Sequence, residues 1–302
     1  MTDADDPAST FERHRRLLFT VAYDLLGSAS DAEDVVQDAW LRWSNAEHGA
    51  VRDPKAFLVT VVTRLALNRL RASKARREAY VGPWLPEPLL TAPDVADEVE
   101  VVEAVSMALL VVLETLSPAE RAVFVLREVF GLSYGEVAEA LERSEAAVRQ
   151  MGHRAREHVQ ARRPRFDADR TVQREVTTRF LAACAGGDVD ALVASLAPGV
   201  TLVTDGGGVA KAALRPILGP EKVARFLVAV TANVAAQVDD PSEVRLVQCD
   251  INGRPALVAF LRDQPWMALQ VHVADGLIER IHAFRNPDKL AGLRLEQRLS
   301  VR

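Results

Sequence analysis

A chain of 302 residues exceeds what one hydrophobic core ordinarily organises, so two or three compact units are expected. With 49% apolar and 26% charged residues the composition is that of a soluble protein. No stretch reaches the ~18 to 20 uninterrupted apolar residues that a bilayer span needs, so a membrane protein is not expected. The net charge of -5 argues, taken alone, against a nucleic-acid partner.

The distribution of charge argues otherwise. Arg64 to Arg77 carries six basic residues and no acid, whereas Glu78 to Glu103 carries seven acids and no base. Basic residues return from Arg143 to Arg165. Phosphate attraction acts over about one Debye length, so local segregation outweighs the total. Met1 to Asp6 is acidic and lacks the basic and apolar parts of a secretory signal, which points to the cytoplasm. Cys184 and Cys249 are too few and too far apart for a disulfide scaffold or a metal site, and neither metal nor cofactor is expected.

In chain order, the first half reads as short helices with start signals. Ser30 with Glu33 forms one capping pattern, Asp53 before Pro54 a second, and Ser117-Pro118-Ala119-Glu120 a third. The helix opened by Pro54 aligns Phe57, Leu58, Val61, Val62, Leu65 and Leu70, then ends in the basic run. Pro83, Pro86, Pro88 and Pro93 crowd the next stretch. Helix cannot continue through that spacing, so Glu78 to about Glu98 reads as an extended linker.

Ser133 and Glu136 make a capping box on a short helix through Leu141. Glu142-Arg143-Ser144 is a tight break, and Ser144 caps a second helix. That is the spacing of a helix-turn-helix. Val148, Met151, Ala155 and Val159 recur at helical spacing and face the core, which turns Glu145, Ala146, Arg149, Gln150, His153 and Arg154 outward. Arginine pairs with guanine edges and glutamine with adenine, so Ala146, Arg149, Gln150 and His153 are candidates for base reading. Arg154 and Arg156 are candidates for phosphate contact. Gly152 is out of keeping with this helix, at a cost of roughly 1 kcal/mol relative to alanine.

After Pro164, helices around Val172 to Ala185 and Val189 to Leu196 lead into short apolar or alternating runs: Val200 to Val203, Val244 to Asp250, Ala256 to Leu261, Trp266 to Ala274 and Leu277 to Phe284. These read as strands. Asn252-Gly253 and Asp275-Gly276 are hairpin turns. A helix from Glu221 to Ala236 interrupts the strands, which predicts an α+β unit with a curved antiparallel sheet.

Taken together, these parts resemble the extracytoplasmic-function class of sigma factors over about residues 10 to 160. Asp31 to Trp40 resembles the region 2.2 helix, and the resemblance implies that Asp31, Glu33, Asp34, Gln37 and Asp38 dock on core RNA polymerase. Phe57 to Arg71 resembles the helix that approaches the minus-ten element, which assigns Arg64, Asn68, Arg71 and Lys74 to DNA. Leu116 to His158 resembles region 4, the reader of the minus-thirty-five element. The basic run could hold the phosphates of DNA being opened, and the polar loop Ser44 to Arg52 could take an unstacked base.

Three separated motifs narrow the resemblance to a SigJ-like subgroup with a fused SnoaL-like extension: Trp84-Leu85-Pro86-Glu87-Pro88, Asp205-Gly206-Gly207-Gly208, and Asn286-Pro287-Asp288-Lys289-Leu290. The subgroup usually places lysine directly after the glycines, where this chain has Val209, with Lys211 two residues on. The implied fold class is two all-α sigma domains, region 2 over 8–77 and region 4 over 104–163. An acidic proline-rich linker over 78–103 joins them, and an α+β NTF2-like, SnoaL-like cone follows over 166–302. The implied function is an alternative sigma factor modulated by its own third domain. The implied partners are promoter DNA and core polymerase, met through the β′ clamp and the β flap. The free chain is expected to be a monomer, and an anti-sigma protein or a small ligand is left open.

Two other readings compete. One is a repressor or activator using only the helix-turn-helix, which leaves the Asp31 helix and the basic run unexplained. The other is a ligand-binding or catalytic third domain, for which Asp205, His272 and His282 are the ionisable candidates. The expectation is that the chain is not an enzyme and that Asp205 to Gly208, with Asn286, Pro287 and Asp288, contacts Trp84 to Pro88 as a regulatory site.

Overall fold

The computed structural model describes residues 6–91, 105–162, 170–236, 238 and 240–293. The expected linker's acids from Asp94 to Glu103 lie outside the described residues, as does the side chain of Lys74. Contacts divide the chain into two compact units, Met1–Glu78 with Asp94–Arg163, and Ala79–Pro93 with Pro164–Arg302.

The first unit is all helical. α1 (Pro7–Leu26) is capped by Asp6 and ends at Gly27, whose φ of 65° lets its N–H close on the Tyr23 carbonyl. α2 (Ala29–Ser44) follows at once, capped by Ser28 accepting from the Asp31 N–H at 3.3 Å. The expected cap, Ser30, instead lies inside the helix, because the left-handed turn at Gly27 starts α2 two residues earlier. α3 (Pro54–Glu78) opens where expected, with the Ala56 N–H donating to Asp53 at 3.1 Å. Leu58, Val61, Val62 and Leu70 are buried along it. Trp43 is core, its indole N–H donating to the Pro7 carbonyl at 2.7 Å.

α4 (Met107–Leu113) and α5 (Pro118–Phe124) precede a single π turn over Val125–Val129, and α6 (Tyr134–Leu141) and α7 (Glu145–Arg162) form the helix-turn-helix. The Ser133–Glu136 capping box is complete, and Glu142 at φ 52° makes the break. Ser144 accepts from the Ala147 N–H at 3.3 Å.

A buried polar network joins these helices. Arg121, 1% exposed, donates from Nε and Nη2 to the Asp24 carbonyl, each at 3.2 Å, and pairs with Glu114, which also pairs with Arg77. Arg77 donates to the Leu26 carbonyl at 2.5 Å. Asp24 accepts from the Val105 N–H at 3.3 Å through one carboxylate oxygen, while the other is buried without a hydrogen-bond partner among the described residues.

The second unit is α+β. From the linker comes β1 (Leu90–Thr91); then α8 (Arg170–Gly186), α9 (Val189–Ser195), β2 (Leu196–Asp205), β3 (Ile217–Leu218), α10 (Pro220–Ala235), β4 (Val244–Ile251), β5 (Arg254–Leu261), β6 (Gln264–Ala274), β7 (Leu277–Phe284) and α11 (Pro287–Leu290). The sheet order is β1-β4-β5-β6-β7-β2-β3. Asn252-Gly253 and Asp275-Gly276 have positive φ throughout, as hairpin turns require. The sheet is not wholly antiparallel as expected: β2 runs parallel to β7, because the first long strand returns beside the last one. Val176, Phe180, Leu192, Val223 and Leu227 from the helices pack on Leu202, Leu257, Leu269, Val271 and Ile281. The architecture is thus an all-helical unit that carries the helix-turn-helix, followed by an α+β unit built on a seven-stranded mixed sheet.

Asp24 gives the first unit a pH signature. Burial pushes its carboxyl up to about 7, against the weaker pull of the Val105 N–H and Arg121. Between about pH 4 and 7 the folded state then binds a proton that the unfolded chain does not, so stability falls as pH rises through that window and levels off above it. Asp24→Asn removes the slope. The variant is expected to be more stable than wild type at pH 8, by a margin on the order of a few kcal/mol. The difference should shrink towards pH 5. Urea unfolding of both proteins across that range measures it, and parallel curves would refute the assignment.

Candidate functional site

The outward face of α7 is as the sequence implies. Ala146, Arg149, Gln150, His153 and Arg154 are exposed, whereas Val148, Gly152, Ala155 and Val159 are buried. The arginines are already engaged. Arg149 meets Glu145 one turn back, with Nε to Oε1 at 3.1 Å, and its guanidinium lies 4.6 Å from the Tyr134 ring centroid. Arg154 donates to Glu120 on α5 at 2.9 Å, Arg156 pairs with Glu128 at 3.6 Å, and His153 lies 3.4 Å from Glu157. The Ser117 hydroxyl, and after it Arg154, hold the Glu120 carboxyl below its usual range.

On α3, Arg64, Asn68 and Arg71 form one stripe at helical spacing. Asn68 and Arg71 are exposed, with an Arg71 Nη1 to Asn68 Oδ1 bond of 3.3 Å. Arg64 caps the end of α6: it donates to the Ala140 carbonyl at 3.1 Å and the Glu139 carbonyl at 3.0 Å, and pairs with Glu142 at 3.1 Å. A cation at a helix C-terminus answers the unpaired carbonyls there. On α2, Arg69 from α3 ties Asp31 at 2.7 Å and Asp34 at 2.5 Å, and Arg15 holds Glu33 at 2.9 Å. Gln37 and Asp38 stay exposed.

The linker motif and the two C-terminal motifs meet within the second unit. Asp205 ends β2 with its side chain wholly buried. One oxygen accepts from the Tyr80 hydroxyl at 2.5 Å and the Gly207 N–H at 3.1 Å; the other accepts from the Leu85 N–H at 2.8 Å and Lys289 Nζ at 2.7 Å. Lys289 also donates to the Leu85 carbonyl and stands 4.1 Å from the Trp84 ring centroid and 5.0 Å from that of Tyr80. Asn286 Nδ2 donates to the Tyr80 hydroxyl at 2.8 Å and caps the short turn carrying Pro287 and Asp288. Burial, and then the Asp205 carboxylate, push the Tyr80 hydroxyl well above the usual phenol range.

The glycines are steric necessities. A Cβ on Gly207, at φ 64°, would fall 2.5 Å from Asn286 Nδ2; on Gly206 it would fall 2.4 Å from the Ala210 carbonyl. Gly208 lies against Val81 in the linker. Leu85, Pro86 and Pro88 are buried and Glu87 is half-buried. Beyond them Leu89 and Asn252 exchange two hydrogen bonds, at 2.9 and 3.1 Å, before β1 joins the sheet edge at β4. Sequence reasoning missed Tyr80 and the role of Lys289. An acid behind three glycines signalled a buried carboxylate in search of a cation, and Lys289 was the base inside the third motif. Val209, where the resemblance places a lysine, and Lys211, two residues on, are both exposed.

Neither histidine considered for catalysis joins this cluster through a hydrogen bond to Asp205, whose oxygens are taken by the four donors above. His282 is buried, and burial, then Arg280 and His272, lower its ring to about 3, so it stays neutral. Among the described residues no group of three or more histidine, cysteine or acidic side chains could hold a metal, and no helix is long and apolar enough to cross a membrane.

Truncating Lys289 leaves a buried carboxylate short of its cation, a loss typically of ~3–5 kcal/mol. In Lys289→Met the Leu85 amide is expected to exchange hydrogen roughly a hundred-fold faster or more, while amides in the middle of β6 change little. Site-resolved hydrogen exchange reads both. Equal acceleration everywhere would mean that the lysine supports the whole domain and not the linker.

Two families match by sequence: Sigma-70 region 2 over residues 10–76 and Sigma-70, region 4 over residues 106–159. The ECF RNA polymerase sigma factor SigJ of Mycobacterium tuberculosis is 39% identical over 96% of this chain and 95% of its own length. The probable ECF RNA polymerase sigma factor SigI of the same organism is 32% identical over 98% and 99%. The crystal structure of Mycobacterium tuberculosis SigJ superposes with a TM-score of 0.75 at 37% identity, covering 94% of this chain and 98% of that one. With both helical regions matched and the likeness running through the third domain, this chain belongs to the extracytoplasmic-function RNA polymerase sigma factors and is an alternative sigma factor.

Proposed function

We propose that the third domain regulates this sigma factor by holding the segment that connects its two DNA-reading regions. The observation that carries the reading is the bond set on Leu85. Its N–H and carbonyl are both taken, by Asp205 and Lys289, so the backbone of the connecting segment is itself the bound element. A connection held this way cannot extend freely when region 2 and region 4 engage separate promoter elements. Release or retention of the clasp then sets activity.

The remaining roles rest on the sigma-factor likeness, with the exposure of these side chains in support. Gln37, Asp38 and the Arg69-tethered Asp31 and Asp34, with Glu33, form the face offered to the polymerase β′ clamp. Region 4 would meet the β flap. α7 would enter the major groove at the minus-thirty-five element through Ala146, Arg149, Gln150 and His153, with Arg154 and Arg156 on phosphates. Arg64, Asn68, Arg71 and Lys74 would serve the minus-ten element. Arg64 spends its Nε donor and one Nη2 donor on the end of α6, so it would meet minus-ten phosphates through its remaining N–H groups, with Glu142 displaced, or by opening that contact.

Run-off transcription with core polymerase tests the regulatory reading, using wild type, Trp84→Ala and Asp205→Ala on promoter templates. Both variants are expected to change output or promoter choice several-fold in the same direction. Wild-type behaviour in both would remove the regulatory role, and failure of every form to initiate anywhere would remove the promoter-reading one.

A further inference from the structure

Gly152 occupies a buried position in the middle of α7, where glycine is less favourable than alanine. Its neighbours explain the choice. A Cβ there would approach Val123 Cγ1 to 3.3 Å and Tyr134 Cε1 to 3.4 Å, with the Tyr134 hydroxyl at 3.6 Å. The missing side chain therefore lets the Tyr134 ring lie close against the backbone of α7. Tyr134 is the first residue of α6, fixed from behind by the Ser133–Glu136 capping box.

From that seat the ring meets two cations. Arg149 lies with its guanidinium carbon 4.6 Å from the ring centroid and Arg127 with its own at 4.9 Å, and Arg127 is anchored by donation to the Leu132 carbonyl at 2.8 Å. Arg149 is an exposed side chain that would otherwise sample many rotamers and lose that freedom on being ordered. Contact with the ring, together with Glu145, orders it before any ligand arrives. Bidentate pairing of a guanidinium with a guanine edge depends on such alignment, and a side chain already aligned loses less on binding.

We propose that Tyr134, seated on Gly152, is a positioning residue that sets the base preference of Arg149 at one position of the minus-thirty-five element. This rests on the reading of Arg149 as a base contact, and the test separates the two. Run-off transcription with core polymerase is performed on a pool of promoters randomised across the minus-thirty-five element, and the sequences of the transcribed templates are counted. Arg149→Ala identifies its position as the one whose preference flattens. Tyr134→Leu is expected to weaken the preference at that position about ten-fold, with preferences elsewhere unchanged. Gly152→Ala, which pushes the ring, weakens the same position less, and Tyr134→Phe, which keeps the ring, restores it. A merely structural role for Tyr134 would lower output across all sequences alike. That result, or an unchanged preference in Tyr134→Leu while Arg149→Ala still flattens one position, overturns the positioning role alone. No flattened position in Arg149→Ala overturns the base contact and the positioning role together.

Discussion

A carboxylate taken out of water costs several kcal/mol unless other donors replace the solvent, and the Asp205 carboxylate is wholly buried. Its four donors come from three separate stretches of chain: Tyr80 and Leu85 from the linker, Gly207 from the glycine turn, and Lys289 from α11. None of the three can leave without exposing the charge to an apolar surrounding it cannot tolerate. The glycines, the Asn286 cap and the buried Leu85 are secondary to this. They bring backbone close enough for the donors to reach. The second unit therefore recruits a segment that the sequence order would give to the helical half.

Local patterns were legible in the sequence, and pairings between distant stretches of chain were not. Capping boxes are local, so Ser133 with Glu136 and the start at Asp53 were legible to the residue. Ser28 and Ser30 both satisfied a local pattern, and the decision lay with Gly27, whose positive φ ends the helix before. Asn252-Gly253 and Asp275-Gly276 announced their hairpins. The turn at Arg262 and Asp263 did not, because both residues take positive φ without glycine. Periodicity gave the strands yet not their order, since a parallel partner for β2 depends on a strand that ends about eighty residues later. The proline-rich segment read as extended linker, and over residues 80–89 it carries no helix. That it pairs with β4 could only come from the sheet edge it meets. Lys289 lies 84 residues from Asp205, and no spacing rule spans that distance.

Region 2 and region 4 present a complementary problem, because many of their charged side chains already have protein partners. Arg69 neutralises Asp31 and Asp34, Arg154 answers Glu120, Arg149 answers Glu145, and Arg64 answers the end of α6. This accounts for a nucleic-acid-binding chain with a net negative total: the basic residues are placed locally and carry acids beside them. Their exposure decides what the pairing means. Arg149 and Arg154 keep half or more of their side-chain surface in solvent, and exposed pairs are typically worth ~0–1 kcal/mol. Exchanging such an acid for a phosphate or a base edge costs little, and the acid keeps the arginine ordered meanwhile.

Arg121 and Glu114 belong to a different class. With their side chains 2% and 17% exposed, and with Arg77 on the same carboxylate, they lie where water cannot replace a lost partner. Removing one member of such a group typically costs ~3–5 kcal/mol. Their work is to fix α1 and α3 against α4 and α5. Burial thus sorts the charges of the helical unit into those that hold it together and those that can change partner, a division that charge counting along the sequence could not make. Arg64 lies between the two classes, with 41% of its side-chain surface exposed and two carbonyls as partners. Two carbonyl bonds commit it to the end of α6 while a large part of its side chain still faces solvent, so it can hold the helical unit and keep donors open to water at once.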